Sequence, residues 1–252
     1  MILRWREIVS NCLWLHFLTV FPPLPASIVD WSSGSNTGRF NAQQLLNARR
    51  FLTVSLLSMI MAKEGDNVLD LCCGSGDLAF LLSEKVGPNG QVTALDFSKE
   101  QLQIAASRQR MRFKPCYKNI KWVEGNAVDL PFSDSYFDGI TIGYGLRNVV
   151  DRPKAIEEMC RVLKKGSKVS VLDFNKSTHP IAISFQDWVI DNVIVPVASG
   201  YGLGSEYEYL KNSIKKYLTG DELEKIALEA GFSTAKHYEF SGGLMGNLVA
   251  SR

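Results

Sequence analysis

Between residues 66 and 175 the chain alternates apolar runs of strand length with amphipathic runs of helix length. Asn67–Cys72 is an apolar run that ends in a glycine cluster, which predicts a buried strand and a tight turn. Asp77–Val86 has apolar residues at helical spacing and stops at Gly87-Pro88-Asn89-Gly90, a turn composition. Gln91–Asp96 predicts a second strand. Ser98 then reads as the N-cap of a helix to about Met111, with Gln101 at the capping-box position. Ile120–Glu124 and Phe137–Gly143 predict the third and fourth strands. Asp151 opens a helix that carries Pro153 in its first turn and runs to Leu163. Lys164-Lys165-Gly166 ends it, and Lys168–Phe174 predicts a fifth strand. Strands alternating with helices in this way predict an α/β fold with a doubly wound parallel sheet.

The flanks follow other patterns. Residues 27–41 have loop composition, and residues 42–62 predict an apolar helix carrying Arg49 and Arg50. Ile181–Val197 is apolar and aromatic, and Ser205–Tyr217 is rich in tyrosine. Thr219 reads as a cap for the helix Asp221–Ala230, with Glu222 at the capping-box position and Gly231 as its stop. Phe232–Phe240 and Asn247–Ala250 predict two last strands. The expected organisation is an atypical segment over 1–62 and one domain over 63–252, with an apolar, lid-like insertion around 181–217.

Composition narrows the class. With 252 residues, 46% of them apolar, the chain can bury a sizeable core. A net charge of +2 is too small to imply nucleic-acid binding. The five cysteines are scattered without a C-x-x-C pair, so neither a disulfide framework nor a metal site is expected. Cys72 and Cys73 read as small packing residues. No apolar run reaches the roughly 18 residues of a membrane-spanning helix. Leu13–Phe21, with Arg4 and Arg6 before it and prolines after it, has the outline of a short secretory leader. The reduced, cofactor-type domain that follows argues against secretion.

The candidate chemistry starts at the first turn. Gly74-Ser75-Gly76-Asp77-Leu78-Ala79 satisfies the dinucleotide fingerprint G-x-G-x-x-G/A, and Asp96 lies 20 residues past Gly76, where a ribose hydroxyl pair wants an acceptor. The same stretch fits an S-adenosylmethionine loop. Asp70 separates the two readings. A carboxylate near the strand's end repels a pyrophosphate but attracts the sulfonium and ammonium of S-adenosylmethionine, as Asp77 also would. A structural aspartate capping the turn is the plain alternative. Tyr207 and Lys211 form a Tyr-x-x-x-Lys pair, which leaves a nicotinamide oxidoreductase as a rival; the Thr-Gly-x-x-x-Gly-x-Gly loop of that class is absent.

Four segments together carry a resemblance. Leu69-Asp-Leu-Cys-Cys-Gly-Ser-Gly-Asp77, Gly125-Asn-Ala-Val-Asp-Leu-Pro-Phe132, Gly145-Leu-Arg-Asn-Val149 and Arg161-Val-Leu-Lys-Lys-Gly166 resemble the quinone C-methyltransferases of ubiquinone and menaquinone synthesis. Asp173-Phe-Asn-Lys-Ser177, Tyr207-Glu-Tyr-Leu210 and Ser241-Gly-Gly243 are similar to the plant plastid branch of that family. The resemblance covers residues 63 to 252. It implies a class I S-adenosylmethionine-dependent methyltransferase, with a mostly parallel seven-stranded sheet and helices on both faces. It also implies a lipophilic, phytylated naphthoquinol as substrate, peripheral membrane contact and a chloroplast location. Residues 8–51 match nothing in the family, which points to an altered gene model or splice form. The open alternatives are C-methylation in the ubiquinone or menaquinone pathway, methylation of another small molecule, and a non-catalytic methyltransferase-like protein.

Position by position, the resemblance assigns the cofactor to Ser75, Asp96, Asn126 and Ala127; the reading of the loop adds Asp70, Gly74 and Gly76, and Gly143 is expected at the same site. Gly143 stands where many relatives have serine, which removes a hydroxyl. Arg147 and Asn148 fall at the end of the fourth strand, beside the transferred methyl group, and are the candidate catalytic residues. Arg147 would stabilise a phenolate or orient a water. A structural arginine paired with Asp151 or Asp138 is the alternative. His179 is either a base acting through water or a solvated loop residue; His237 and His16 have weaker claims. Tyr144 either packs on a substrate ring or belongs to the core. Trp188, Val189, Val193 and Val197 either line a groove for an isoprenoid tail or belong to a buried helix pair.

Overall fold

The computed structural model describes residues 60–176, 180–189, 192, 204–240, 243 and 245–252. The expectations for residues 1–59 (the leader-like run, His16, and the helix with Arg49 and Arg50) and for His179, Val193 and Val197 lie outside the described residues, as do the side chains of Val189 and Tyr207.

Seven strands form one sheet. They are β1 (Asn67–Leu71), β2 (Gln91–Asp96), β3 (Ile120–Glu124), β4 (Phe137–Gly143), β5 (Leu163–Phe174), β6 (Thr234–Phe240) and β7 (Met245–Ser251), in the spatial order β3-β2-β1-β4-β5-β7-β6. Neighbours from β3 to β5 pair in parallel, and β7 runs antiparallel to both β5 and β6. The chain reverses direction across the sheet between β1 and β4, so the carboxyl ends of these two strands flank a natural crevice.

The helices are α1 (Asp77–Val86), α2 (Lys99–Arg110), α3 (Arg152–Val162), α4 (Pro180–Val189), α5 (Gly204–Lys215) and α6 (Gly220–Glu229). Strand alternation sorts the core onto two faces. Val68, Val92 and Ala94 pack with Phe80 and Leu82 of α1. Leu69, Leu71 and Leu95 pack with Ile156 and Met159 of α3 and with Leu223 and Ala227 of α6. Cys73 packs against the first cluster and Cys72 against the second, the packing role expected of them.

The caps follow the sequence. The Ser98 hydroxyl accepts from Gln101 N at 3.2 Å, Asp151 accepts from Lys154 N at 3.0 Å, and Thr219 with Glu222 completes a capping box. β5 starts earlier than the expected Lys168. Leu163 already pairs with Phe137, and an irregularity between Phe137 and Gly139 absorbs the extra length. The polar Lys-Lys-Gly run masks this start, because its lysines lie at the solvent edge of a strand.

Candidate active site

The loop after β1 turns through left-handed backbone at Cys72 (φ 58°), Gly74 (φ 54°) and Gly76 (φ 85°). Glycine adopts this conformation without strain. Cys72 does so against Gly145, where a Cβ would strike its side chain. A Cβ on Gly76 would lie 2.5 Å from the Trp122 ring, so only glycine lets the loop lie flat on β3. Gly76 immediately precedes α1, whose first N–H groups open toward the crevice.

Arg108 of α2 holds the loop from the side. Its guanidinium donates to Ser75 O at 2.8 Å, Ser75 Oγ at 2.9 Å and Asp77 Oδ1 at 2.5 Å. The charge of Asp77 is therefore met by Arg108, and its expected help toward a cationic ligand is correspondingly reduced. Asp96 is fixed by Gly74 N at 2.8 Å and Ser98 N at 2.9 Å, one donor to each carboxylate oxygen. This ties the acid at the end of β2 to the glycine turn. Phe97 follows with its side chain turned outward, and the residue is 79% exposed.

The segment after β3 comes to the same place. Gly125 N donates to Asp96 O at 3.1 Å, Asn126 bridges Asp129, and Ala127 is buried in the core. Arg161 braces this segment from α3. It donates to Leu130 O at 2.9 Å and Phe132 O at 2.7 Å, and it pairs with Glu158 and Asp134. The Arg161 segment, notable in the sequence for its resemblance, thus supports the loop that carries Asn126 and Ala127.

Asp70 is the most unusual group. It is 1% exposed and lies in register with Thr141 of β4, whose hydroxyl donates to its Oδ1 at 3.2 Å. Oδ2 is buried with no hydrogen-bond partner. Burial pushes the carboxyl up to about 8, opposed by the Thr141 hydroxyl and reinforced by the Asp96 charge. An orphaned, desolvated carboxylate costs free energy unless a donor or cation arrives. The ammonium of S-adenosylmethionine supplies such a donor, so the residues present fit that cofactor.

A second centre lies at the ends of β4 and β5. A Cβ on Gly143 would meet only Leu78, at 3.7 Å, so the missing hydroxyl leaves room. Tyr144 follows with φ 59°. Arg147 and Asn148 sit on the short turn Leu146–Asn148. Arg147 is 4% exposed. Its Nη1 pairs with Asp173, its backbone N donates to Asp173 Oδ2 at 3.0 Å, and its Nε donates to Ser213 Oγ of α5 at 2.9 Å. The guanidinium also lies 5.2 Å from the centroid of the Phe174 ring. Its ion partner is neither of the two considered from sequence. Asp151 caps α3, and Asp138 binds Asn67 N and Lys164. Asn148 is exposed, and its Oδ1 accepts from the Tyr209 hydroxyl at 2.9 Å. Tyr144 and Tyr217 stand near the Arg147–Asp173 pair, and burial drives both phenols well above their ordinary value, with the Asp173 charge adding to it.

His237 lies on β6, beyond β7 in the sheet. Its ring packs on Gly220 and Gly246, its backbone N donates to Glu224 at 2.6 Å, and burial lowers its pKa. Trp188 is half exposed on α4. Among the described residues no group of His, Cys, Asp and Glu is arranged to hold a metal.

Sequence reasoning missed Phe97, Arg108, Asp173, Tyr209 and Ser213. For Phe97 a signal existed, an aromatic residue directly after the ribose acid. Asp173 lay inside a recognised segment without a role. Tyr209 likewise lay inside the recognised Tyr207–Leu210 segment without a role, and nothing local marks Arg108 or Ser213.

The strand order, the glycine turn and the acids at the carboxyl ends of β1 and β2 define a class I S-adenosylmethionine-dependent methyltransferase. Solved structures share the fold. A SAM dependent methyltransferase from Aquifex aeolicus superposes with a TM-score of 0.58 at 20% identity, covering 79% of this chain and 88% of that one. The [4+2]-cyclase SpnF superposes with a TM-score of 0.63 at 19% identity, covering 99% and 94%. Residues 42–251 match the ubiE/COQ5 methyltransferase family, and the chain belongs to that family. It is 67% identical over 191 residues to the Arabidopsis thaliana protein named 2-phytyl-1,4-beta-naphthoquinone methyltransferase, chloroplastic, covering 76% of this chain and 73% of that one. It is 47% identical over 188 residues to the 2-phytyl-1,4-naphtoquinone methyltransferase of a Synechocystis species, covering 75% and 78%.

Proposed function

We propose that this chain methylates a ring carbon of a reduced, phytylated naphthoquinol, the last methylation in phylloquinone synthesis, in the chloroplast. The observation that carries the substrate is the 67% identity to the Arabidopsis enzyme of that name. When bound, S-adenosylmethionine supplies an electrophilic methyl group. Asp70 would hold its ammonium, Asp96 its ribose hydroxyls, and Phe97 with Asn126 and Ala127 its adenine ring. The substrate ring would lie by Arg147 and Asn148, which would hold it for attack on the methyl group.

A quinol carbon becomes nucleophilic as the neighbouring phenol gives its proton to water, and the methylated carbon would in turn release its hydrogen as a proton to water to restore the ring. Arg147 serves here as a fixed positive donor, since a guanidinium carries only N–H donors and no acceptor. Two of its three nitrogens are held by Asp173 and Ser213, and Nη2 has no protein partner among the described residues. Nη2 is the donor for the developing phenolate. Helices α4 and α5, the described parts of that stretch, carry the lid over the tail. Among the described residues no helix is long and apolar enough to cross a membrane. Val150, 99% exposed just after the Arg147 turn, is the apolar point that dips into a lipid surface while the tail stays there.

The test is methyl transfer by the purified chain to reduced demethylphylloquinone presented in lipid vesicles, with the oxidised quinone and a ubiquinone precursor as comparisons. Methylation of the reduced naphthoquinone above the others supports the reading. Preference for the ubiquinone precursor overturns the substrate, and S-adenosylhomocysteine binding without any transfer overturns the activity.

A further inference from the structure

Helix α5 holds both candidate catalytic residues by the same face. Tyr209 and Ser213 are four residues apart and therefore neighbours on the helix surface. The Tyr209 hydroxyl donates to Asn148 Oδ1 at 2.9 Å, and Ser213 Oγ accepts from Arg147 Nε at 2.9 Å. The Ser213 hydroxyl proton is given to Leu210 O within the helix at 2.7 Å, so the oxygen turns a lone pair toward Arg147. Leu210, Ile214 and Tyr217 are buried beneath and seat the helix. Asp173, on β5, grips Arg147 from the opposite side through Nη1 and the backbone N. The guanidinium plane is thus fixed by one partner in the sheet and one in α5.

We propose that Ser213 and Tyr209 are positioning residues through which α5 sets Arg147 and Asn148 for methyl transfer, so that seating of α5 and turnover are coupled. This rests on the function proposed above. Asp173 alone would keep Arg147 near its place. It would not fix the rotation of the guanidinium about its bond to Asp173, which decides where Nη2 points. Misplacing a reacting group by about an ångström costs up to roughly 100-fold in rate.

The experiment compares the full chain with Ser213→Ala, Ser213→Thr and Tyr209→Phe. The expected result is a kcat lower by about tenfold or more in Ser213→Ala and Tyr209→Phe. Affinity for S-adenosylhomocysteine and Tm should stay at wild-type values, and Ser213→Thr, which keeps the hydroxyl, should recover most of the rate. Hydrogen exchange of the Arg147 Nε–H, followed by NMR and assigned by its loss in Arg147→Lys, reads the contact without turnover. It should be protected in the wild type and in Ser213→Thr, and exposed in Ser213→Ala. Unchanged exchange in Ser213→Ala overturns the proposal. So does a wild-type kcat in both hydroxyl-less variants, or a loss of kcat matched by equal loss of cofactor affinity. A wild-type chain that binds S-adenosylhomocysteine but methylates no quinol overturns the proposed function instead, and the exchange measurement then still decides whether α5 holds Arg147.

Discussion

Raising the pH from about 6 to about 8 should tighten the binding of S-adenosylhomocysteine, because Asp70 must lose a proton to meet the ligand's ammonium group. In the free protein the carboxyl is buried, one oxygen is orphaned, and its pKa is pushed up to about 8. The facing charges are Asp96, on the neighbouring strand, and Asp77, which is paired with Arg108; both acids favour the protonated form. The ligand cation favours the ionised form. Below pH 8, binding therefore releases up to one proton, and affinity falls by as much as about tenfold per pH unit, or about 100-fold over two units. Calorimetry at the two pH values, each in two buffers of different ionisation heat, measures both the Kd and the proton count. A Kd independent of pH, with a heat independent of buffer, would refute the reasoning. The same group sets a stability slope. An unfolded aspartate titrates near 3.8, and the folded one holds its proton to about 8. Stability from this group is thus full below pH 4, falls as pH rises toward 8, and levels beyond. At pH 7 the three-unit difference amounts to about 4 kcal/mol. Asp70→Asn should flatten the pH dependence of binding, weaken it at pH 8, and raise the Tm of the ligand-free protein at that pH by several degrees.

Other expectations follow from the geometry. Arg147→Lys keeps the charge but not the fork between Asp173 and Ser213, and should lower kcat by about 100-fold with near-normal S-adenosylhomocysteine affinity; a normal kcat would remove Arg147 from the chemistry. Arg108→Met releases Ser75 and Asp77 and should weaken S-adenosylhomocysteine by about tenfold at unchanged kcat, since the loss of a charge-assisted contact in a binding loop is worth about 1.5 kcal/mol; calorimetry checks the first part and saturating kinetics the second. Gly76→Ala meets Trp122 as well as a left-handed backbone, whereas Gly166→Ala, also left-handed, meets open space. The first should therefore cost clearly more than the second in a urea melt, where backbone strain alone accounts for about 1 kcal/mol. Arg161→Met strips two loop carbonyls of their donor, leaves Glu158 with the Leu130 N–H alone, and should destabilise the chain by about 2 kcal/mol, read by the same melt.

Much of the sheet could be read from the chain because parallel strands buried on both faces are nearly continuous apolar runs, and their turns carry glycine. The three caps at Ser98, Asp151 and Thr219 were legible for a similar reason: capping chemistry is local, contained within three residues of sequence. The glycine turn and the acids at Asp70 and Asp96 belong to one supersecondary unit, so their partnership is also written in spacing. Arg147 shows where this stops. Its nearby acids in sequence, Asp138 and Asp151, are claimed by Lys164 and by the α3 N-terminus, and its real partner comes from the next strand. Which acid wins depends on strand order, not on distance along the chain. Ser213 and Arg108 are further examples. Each is an ordinary polar residue on a helix, and only the packing of that helix gives it a task. The orphaned oxygen of Asp70 is invisible in sequence, since the sequence shows the acid but not the missing donor.

The placement of β7 bears on how the chain assembles in time. β7 leaves the ribosome after β6, yet it lies between β5 and β6, and among the described strands β6 pairs with β7 alone. The first five strands can close around α1, α2 and α3 as they emerge. β6 must wait as an unpaired strand until the chain behind it has been made and slotted into the gap. The end of β5 that carries Asp173 is likewise an open edge during that interval. A newborn chain therefore passes through a stage with the cofactor half of its sheet built and the edge beside the methyl-transfer centre bare. A helper that shields exposed strand edges would be needed most at that moment.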